Sequence, residues 1–172
     1  MNSPLFPDVN VWVALNHGQH QHHAAALRWY AAIPDSASLV FCRQTQLGLF
    51  RILTTIAVMG AEIVTQRGCW EIFDQWASTG QVAWADEPGN LEIPLRRLTA
   101  GTASSPKAWM DAYLTAFAER AELTLVTFDR ALAAKAQGRG AIGLKRPIAR
   151  LSSAALLANS VPPTRSRQFQ DR

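Results

Sequence analysis

Apolar residues recur along this chain in two rhythms, and the switches between them mark the elements. Leu5-Phe6 reads as a very short strand, with Asp8 at its carboxyl end and a helix over 9–15 following. Pro7 has no N–H for a ladder, which counts against a long central strand here. A polar link over 16–21 opens a helix over 24–32, on which Trp29 reads as a core residue. After a Pro34-Asp35-Ser36 turn comes a strand over 38–42. A helix over 43–54 follows, with Leu47, Phe50, Leu53 and Thr54 expected to turn inward and Thr45 and Gln46 to overlook the strand ends. Gly60 breaks the pattern. A helix over 65–78 packs through Trp70, Phe73 and Trp76, and a strand over 81–85 and a short helix over 91–98 follow.

The most legible unit comes next. Ser104-Ser105-Pro106 supplies a cap and a proline suited to a first helical turn. Residues 107–120 then carry a wide apolar arc at helical period, and Leu123 to Thr127 form the β-branched apolar run of a strand buried on both faces. A further helix over 130–135 begins after Asp129. Strands alternating with helices predict an α/β layered domain, with a central, mostly parallel sheet flanked by helices.

Composition changes this picture little. The chain has 172 residues, enough for one domain with a sizeable core, and its 48% hydrophobic and 17% charged content is that of a globular protein. A formal net charge of +4 permits a polyanionic partner. The clearest basic region is Arg130, Lys135, Arg139, Lys145, Arg146 and Arg150, interleaved with Gly138, Gly140 and Gly143. Residues 1–150 form the predicted domain, and 151–172 a basic, proline-containing extension expected to be disordered towards its end. Cys42 and Cys69 have no motif spacing and read as reduced core thiols. His17, His20, His22 and His23 cluster, but no acid or cysteine is interleaved, so a loop explains them better than a zinc site. No secretory signal and no membrane-length apolar run is visible, so a cytoplasmic protein is expected.

Three aspartates carry the candidate chemistry. Asp8 and Asp129 each follow a strand, and Asp111 sits at the edge of the apolar arc over 107–120. Each has a simpler reading: Asp8 and Asp129 as helix caps, Asp111 as a solvent-facing residue helped by the helix dipole. Yet residues just beyond the carboxyl ends of parallel strands line the functional crevice of an open α/β sheet. Carboxylates brought together repel, and a bound divalent cation removes that difficulty. Oxygen ligands without convergent Cys or His select a hard ion, Mg²⁺ or Mn²⁺. Such an ion supports hydrolysis of a phosphodiester by activating water and stabilising charge on the phosphate.

The sequence resembles a known family at these same places. The stretch from Pro7 to Leu15 resembles the opening motif of PIN domains. Trp109-x-Asp111-Ala112-Tyr113-Leu114-x-Ala116-Phe117-Ala118 and Leu125-Val126-Thr127-Phe128-Asp129 resemble their later motifs. Order and spacing are similar to those of VapC toxins, the ribonuclease halves of type II toxin–antitoxin pairs. His23, Ala26, Trp29 and the stretch Thr45-Gln46-Leu47-Gly48-x-x-Arg51-Ile52-Leu53-Thr54 resemble one VapC subgroup. The resemblance implies a PIN-like three-layer fold and a Mg²⁺-dependent endoribonuclease, with Mn²⁺ as a second metal. Asp8, Asp111 and Asp129 would be the catalytic, metal-holding residues, with Thr127 and Asn10 in support. Arg43, Lys107 and Arg130 would be candidates for contacting RNA. It also implies a cognate antitoxin in the crevice and a homodimer. The chain departs from the pattern at Gln46, where the family usually has an acid. That leaves an alternative: a weakened RNA- or antitoxin-binding module. Glu62 is a candidate substitute for that acid, but it does not match the motif.

Overall fold

The computed structural model describes residues 3–101, 104–136 and 141–144. The elements run β1 (Leu5–Pro7), α1 (Val9–Asn16), α2 (His23–Ala32), β2 (Leu39–Phe41), α3 (Arg43–Leu53), α4 (Ile56–Met59), a 3-10 turn (Gly60–Glu62) and α5 (Gln66–Ser78). Then follow β3 (Val82–Trp84), α6 (Glu92–Leu98), α7 (Pro106–Arg120), β4 (Thr124–Thr127), α8 (Arg130–Ala136) and β5 (Ala141–Gly143). The five strands form one sheet in the order β3-β2-β1-β4-β5, every pairing parallel. The expected α/β architecture is what the chain adopts.

Side chains alternate across the sheet, as the pleat requires. Leu39 and Phe41 of β2 and Val126 of β4 face one core, shared with α1, α2, α3 and α5. Phe6, Val40 and Leu125 face the other, shared with α6, α7 and α8. Trp12 stacks on Phe41 at 3.8 Å and meets Trp76 edge-on at 5.3 Å, whereas Phe6 stacks on Phe117 at 5.1 Å. Both faces are covered, which explains why the strands read as short apolar runs.

The central strand is β1, despite Pro7. The Leu5 N–H donates to Ser38 O at 2.8 Å. The next donor on that side would be Pro7, which has none, and β1 pairs β2 through the single register Leu5↔Leu39. On the other side the Asp8 N–H donates to Val126 O at 2.9 Å, and β1 pairs β4 along Leu5↔Thr124, Phe6↔Leu125 and Pro7↔Val126.

Several expectations are corrected. The buried residues of α3 are Thr45, Gln46, Leu49 and Leu53, whereas Leu47 is 52% exposed and Thr54 is also exposed. The buried stripe is shifted by one position from the expected one, because Thr45 turns inward to cap its own helix through Cys42. Trp70 is half-exposed, whereas Trp76 is buried as expected, together with Cys69. The strand β5 falls where only glycines and basic residues were read. Residues 137–140 and 145–172, which include Arg139, Lys145, Arg146, Arg150 and the C-terminal extension, lie outside the described residues.

One close approach fixes α1 against α3. A Cβ added at Gly48 would meet Val9 Cγ2 at 2.6 Å. Gly48→Ala should therefore destabilise the protein by about 1–3 kcal/mol, the usual cost of overpacking. Thermal unfolding followed by circular dichroism should show the lowered midpoint; an unchanged midpoint would mean the helices part without cost.

Candidate active site

In the order β3-β2-β1-β4-β5, the strand order reverses between β1 and β4, and such a switch point opens a crevice beyond the strands' carboxyl ends. Asp8 follows β1 and Asp129 follows β4, so the two acids flank that point. The helix α7 brings Asp111 to the same place. Asp8, Asn10, Lys107, Asp111 and Asp129 line one cleft of about 370 Å³. Its far wall is α3, through Gln44, Leu47, Gly48 and Arg51.

Asp8 divides its two oxygens between structure and site. Oδ1 accepts the Val11 N–H at 2.9 Å and caps α1, as the simpler reading expected. Oδ2 accepts a short hydrogen bond from the Thr127 hydroxyl. The residue is only 3% exposed, and burial pushes its carboxyl up from 3.8 to about 6. The hydrogen bonds from Thr127 and from the Val11 and Asn10 N–H groups oppose that rise, and the charge of Asp129 adds to it.

Asp129 makes the same division. Its Oδ1 accepts from the Ala131 and Leu132 N–H groups at 2.8 and 3.1 Å, capping α8. Its Oδ2 accepts from Lys107 Nζ at 2.6 Å, and that bond is the chief reason its carboxyl is held below the usual range. Lys107 Nζ also donates to Asp111 Oδ2 at 2.8 Å, one helical turn along α7. The two carboxylates raise the lysine in turn, Asp111 foremost. Thr127 ties the pair of strand ends together: its hydroxyl donates to Asp8 and accepts the Asp129 N–H at 2.9 Å.

Other sequence candidates lie elsewhere. Gln46 is 2% exposed and does not line the cleft; its Oε1 accepts from Arg43 Nη1 at 2.6 Å. Arg43 lies over the Trp84 ring, 4.7 Å from its centroid. Thr45 is buried against Cys42, so neither it nor Gln46 overlooks the crevice. Arg130 is exposed beside Asp129 but outside the cleft lining. Glu62 bonds His17 at 2.7 Å, beyond the other end of α1 from Asp8, and cannot replace an acid at the site. Among the described residues no group of three or more Asp, Glu, His or Cys is arranged so that it could hold a metal by itself. The histidines thus form no such centre; His22 stacks on Phe128 at 4.5 Å.

Gln44, Leu47 and Arg51 were missed as cleft residues. Their signal was the spacing 44, 47, 48, 51, a helical stripe centred on a glycine. It went unread because Leu47 looks like a core position.

The PIN domain family model matches residues 5–138. The chain belongs to the PIN-domain family. Its relatives include Ribonuclease VapC41 of Mycobacterium tuberculosis, 37% identical over 131 residues, which are 74% of this chain and 90% of that protein. Ribonuclease VapC39 of the same organism is 33% identical over 129 residues, 73% of this chain and 88% of that one. This places the protein among the VapC-type PIN domains. The crystal structure of Mycobacterium tuberculosis VapC20, described as a sarcin-ricin loop cleaving toxin, shares the fold. It superposes with a TM-score of 0.57 at 16% identity, covering 76% of this chain and 94% of that chain.

Asp8 gives a test of its burial. Its folded-state value of about 6 lies above the unfolded 3.8. Its contribution is therefore intact below pH 3.8 and lost as pH rises through about 6. Asp8→Asn keeps the cap and removes the buried charge. In chelator-treated protein it should raise stability at pH 8 by up to about 3 kcal/mol, with the gain vanishing near pH 4. Thermal midpoints at the two pH values decide; a variant less stable than the parent at pH 8 would contradict the assignment.

Proposed function

We propose that this PIN domain is a Mg²⁺-dependent endoribonuclease, the toxin of a type II toxin–antitoxin pair acting in the cytoplasm. The observation that carries the reading is one cleft at the sheet's switch point lined by Asp8, Asp111 and Asp129, with a cation set between two of them. Its relatives named as ribonucleases support the same chemistry.

The donor set fits a hard divalent ion. The carboxylates offer oxygen only, no cysteine or histidine lines the cleft, and the Lys107 ammonium already occupies a place stabilised for positive charge. Asp8 and Asp111 would hold the ion, with Asp129 reached through water, since no three acids among the described residues are arranged to bind a metal unaided. So sparse a protein set suits Mg²⁺, which retains several waters and accepts phosphate oxygens. When bound, the metal would lower the pKa of the attacking water and neutralise charge on the phosphate. The protein's own part is positioning. Thr127 aims the inward oxygen of Asp8, the N-terminus of α8 fixes Asp129, and Asn10 stands exposed on the cleft as a polar contact for substrate. Lys107 lies in the cleft and Arg130 adjoins Asp129, while Arg43, over Trp84 and outside the cleft lining, remains a more distant candidate for contacting RNA. An antitoxin that covers the cleft and a homodimer complete the proposal.

One observation favours a second reading. Gln46 brings no charge, and its amide oxygen is taken by Arg43. A site lacking that acid would bind metal weakly and could serve chiefly to bind RNA or an antitoxin.

Incubation of the purified protein with a mixed RNA pool separates the two. The first reading expects endonucleolytic cleavage in Mg²⁺ or Mn²⁺ that stops with chelator. Asp8→Asn and Asp111→Asn should each lower the rate by at least about 100-fold, beyond the 10–100-fold loss typical of groups that merely support ligands. Binding without turnover, not restored by Gln46→Glu, would favour the second. Cleavage that persists in both aspartate variants would defeat the first.

A further inference from the structure

We infer that Arg51 holds an RNA phosphate adjoining the one that is cut. The inference rests on the ribonuclease reading and assigns a substrate contact to a residue that the resemblance leaves without a role.

The cleft has two helical walls built alike. On α7, Lys107, Met110, Asp111 and Leu114 follow the spacing i, i+3, i+4, i+7. On α3, Gln44, Leu47, Gly48 and Arg51 follow the same spacing. Residues so spaced share one helix face, and here the two faces look at each other across the floor formed by Asp8, Val9, Asn10 and Asp129. Gly48 lies against Val9, the neighbour of Asp8, so α3 approaches the acids closely at that point. Arg51 stands three residues further on, a rise of about 4.5 Å along the helix.

Charge decides what this arginine can do. A polyanion entering the cleft meets three carboxylates and two cations. Lys107 is taken by Asp111 and Asp129. Among the described residues no carboxylate lies within ion-pair distance of Arg51, and its side chain is exposed. Arg51 thus lines the cleft with no carboxylate neutralising its charge. A divalent ion on the acids would turn the local balance positive, and Arg51 would extend that positive surface beyond the metal. Its planar fork matches two phosphate oxygens. Leu47 and Met110, both exposed on the facing walls, provide apolar surface between these polar ends, where a base or sugar could rest.

The competing role is local. Arg51 lies in the last turn of α3, where a cation gains from the helix dipole. That role would make the side chain matter to stability and not to RNA.

The two roles separate in a binding experiment on the full chain carrying Asp8→Asn, which prevents cleavage. Anisotropy of a fluorescein-labelled, mixed-sequence single-stranded oligoribonucleotide is followed in Mg²⁺ buffer over a salt series. Adding Arg51→Met should weaken binding about tenfold, the scale of a lost charge-assisted contact. It should also reduce the slope of log affinity against log salt by about 0.7, one phosphate on a single strand. Arg51→Lys should keep the slope and lose part of the affinity. Arg67→Met removes the same charge from an exposed position on α5 paired with Glu71, and should leave affinity within about twofold. A lowered thermal midpoint with RNA affinity and slope unchanged in Arg51→Met would overturn the assignment; so would an Arg67→Met loss as large as that of Arg51→Met. If neither the Asp8→Asn chain nor the unsubstituted chain binds or cleaves RNA in Mg²⁺, the ribonuclease reading itself fails and takes this inference with it.

Discussion

The ammonium of Lys107 lets two acids share a cleft. Its nitrogen lies within 2.8 Å of both Asp111 and Asp129. Without it, the two like charges would repel each other. Asp8 meets the same difficulty differently. It is buried, no cation among the described residues pairs with it, and its carboxyl rises to about 6. A site that stores negative charge in these two ways is poised to receive a cation, because binding relieves both burdens at once.

Keeping those acids in place is the task of the fold. Asp8 and Asp129 are fixed by backbone N–H groups at the starts of α1 and α8, and Thr127 joins them across β1 and β4. The cap leaves one oxygen of each carboxylate for the site, so structural and chemical roles coexist in a single side chain. The sheet order supplies the crevice, and Gly48 lets α3 come close enough to wall it. The whole arrangement explains how aspartates 8, 111 and 129, far apart in sequence, meet at one surface.

Much of this was legible in the sequence because it depends on local chemistry. Pro106 marks the first turn of α7, the β-branched run before Asp129 marks a strand buried on both faces, and the two strand-end aspartates announce helix caps. What escaped depends on tertiary context. The stripe of α3 was misphased because Thr45 caps its own helix and Leu47 stays on the surface as cleft wall. The strand β5 is three residues of weak pattern whose order comes from pairing with β4. Gln46 was expected to overlook the strand ends, but packing buries its amide against Arg43 and outside the cleft lining. The Lys107 bridge has a visible half, the helical spacing to Asp111, and an invisible half, the contact with Asp129 across 22 positions.

The most direct test is a Mn²⁺ titration of metal-free protein, followed by the electron paramagnetic resonance signal of the free ion. The account expects saturable binding that is lost in Asp8→Asn and in Asp111→Asn and is tightened in Lys107→Met, where the competing ammonium is gone. Equal affinity in the parent and all three variants would contradict it, for the acids would then not be holding the ion.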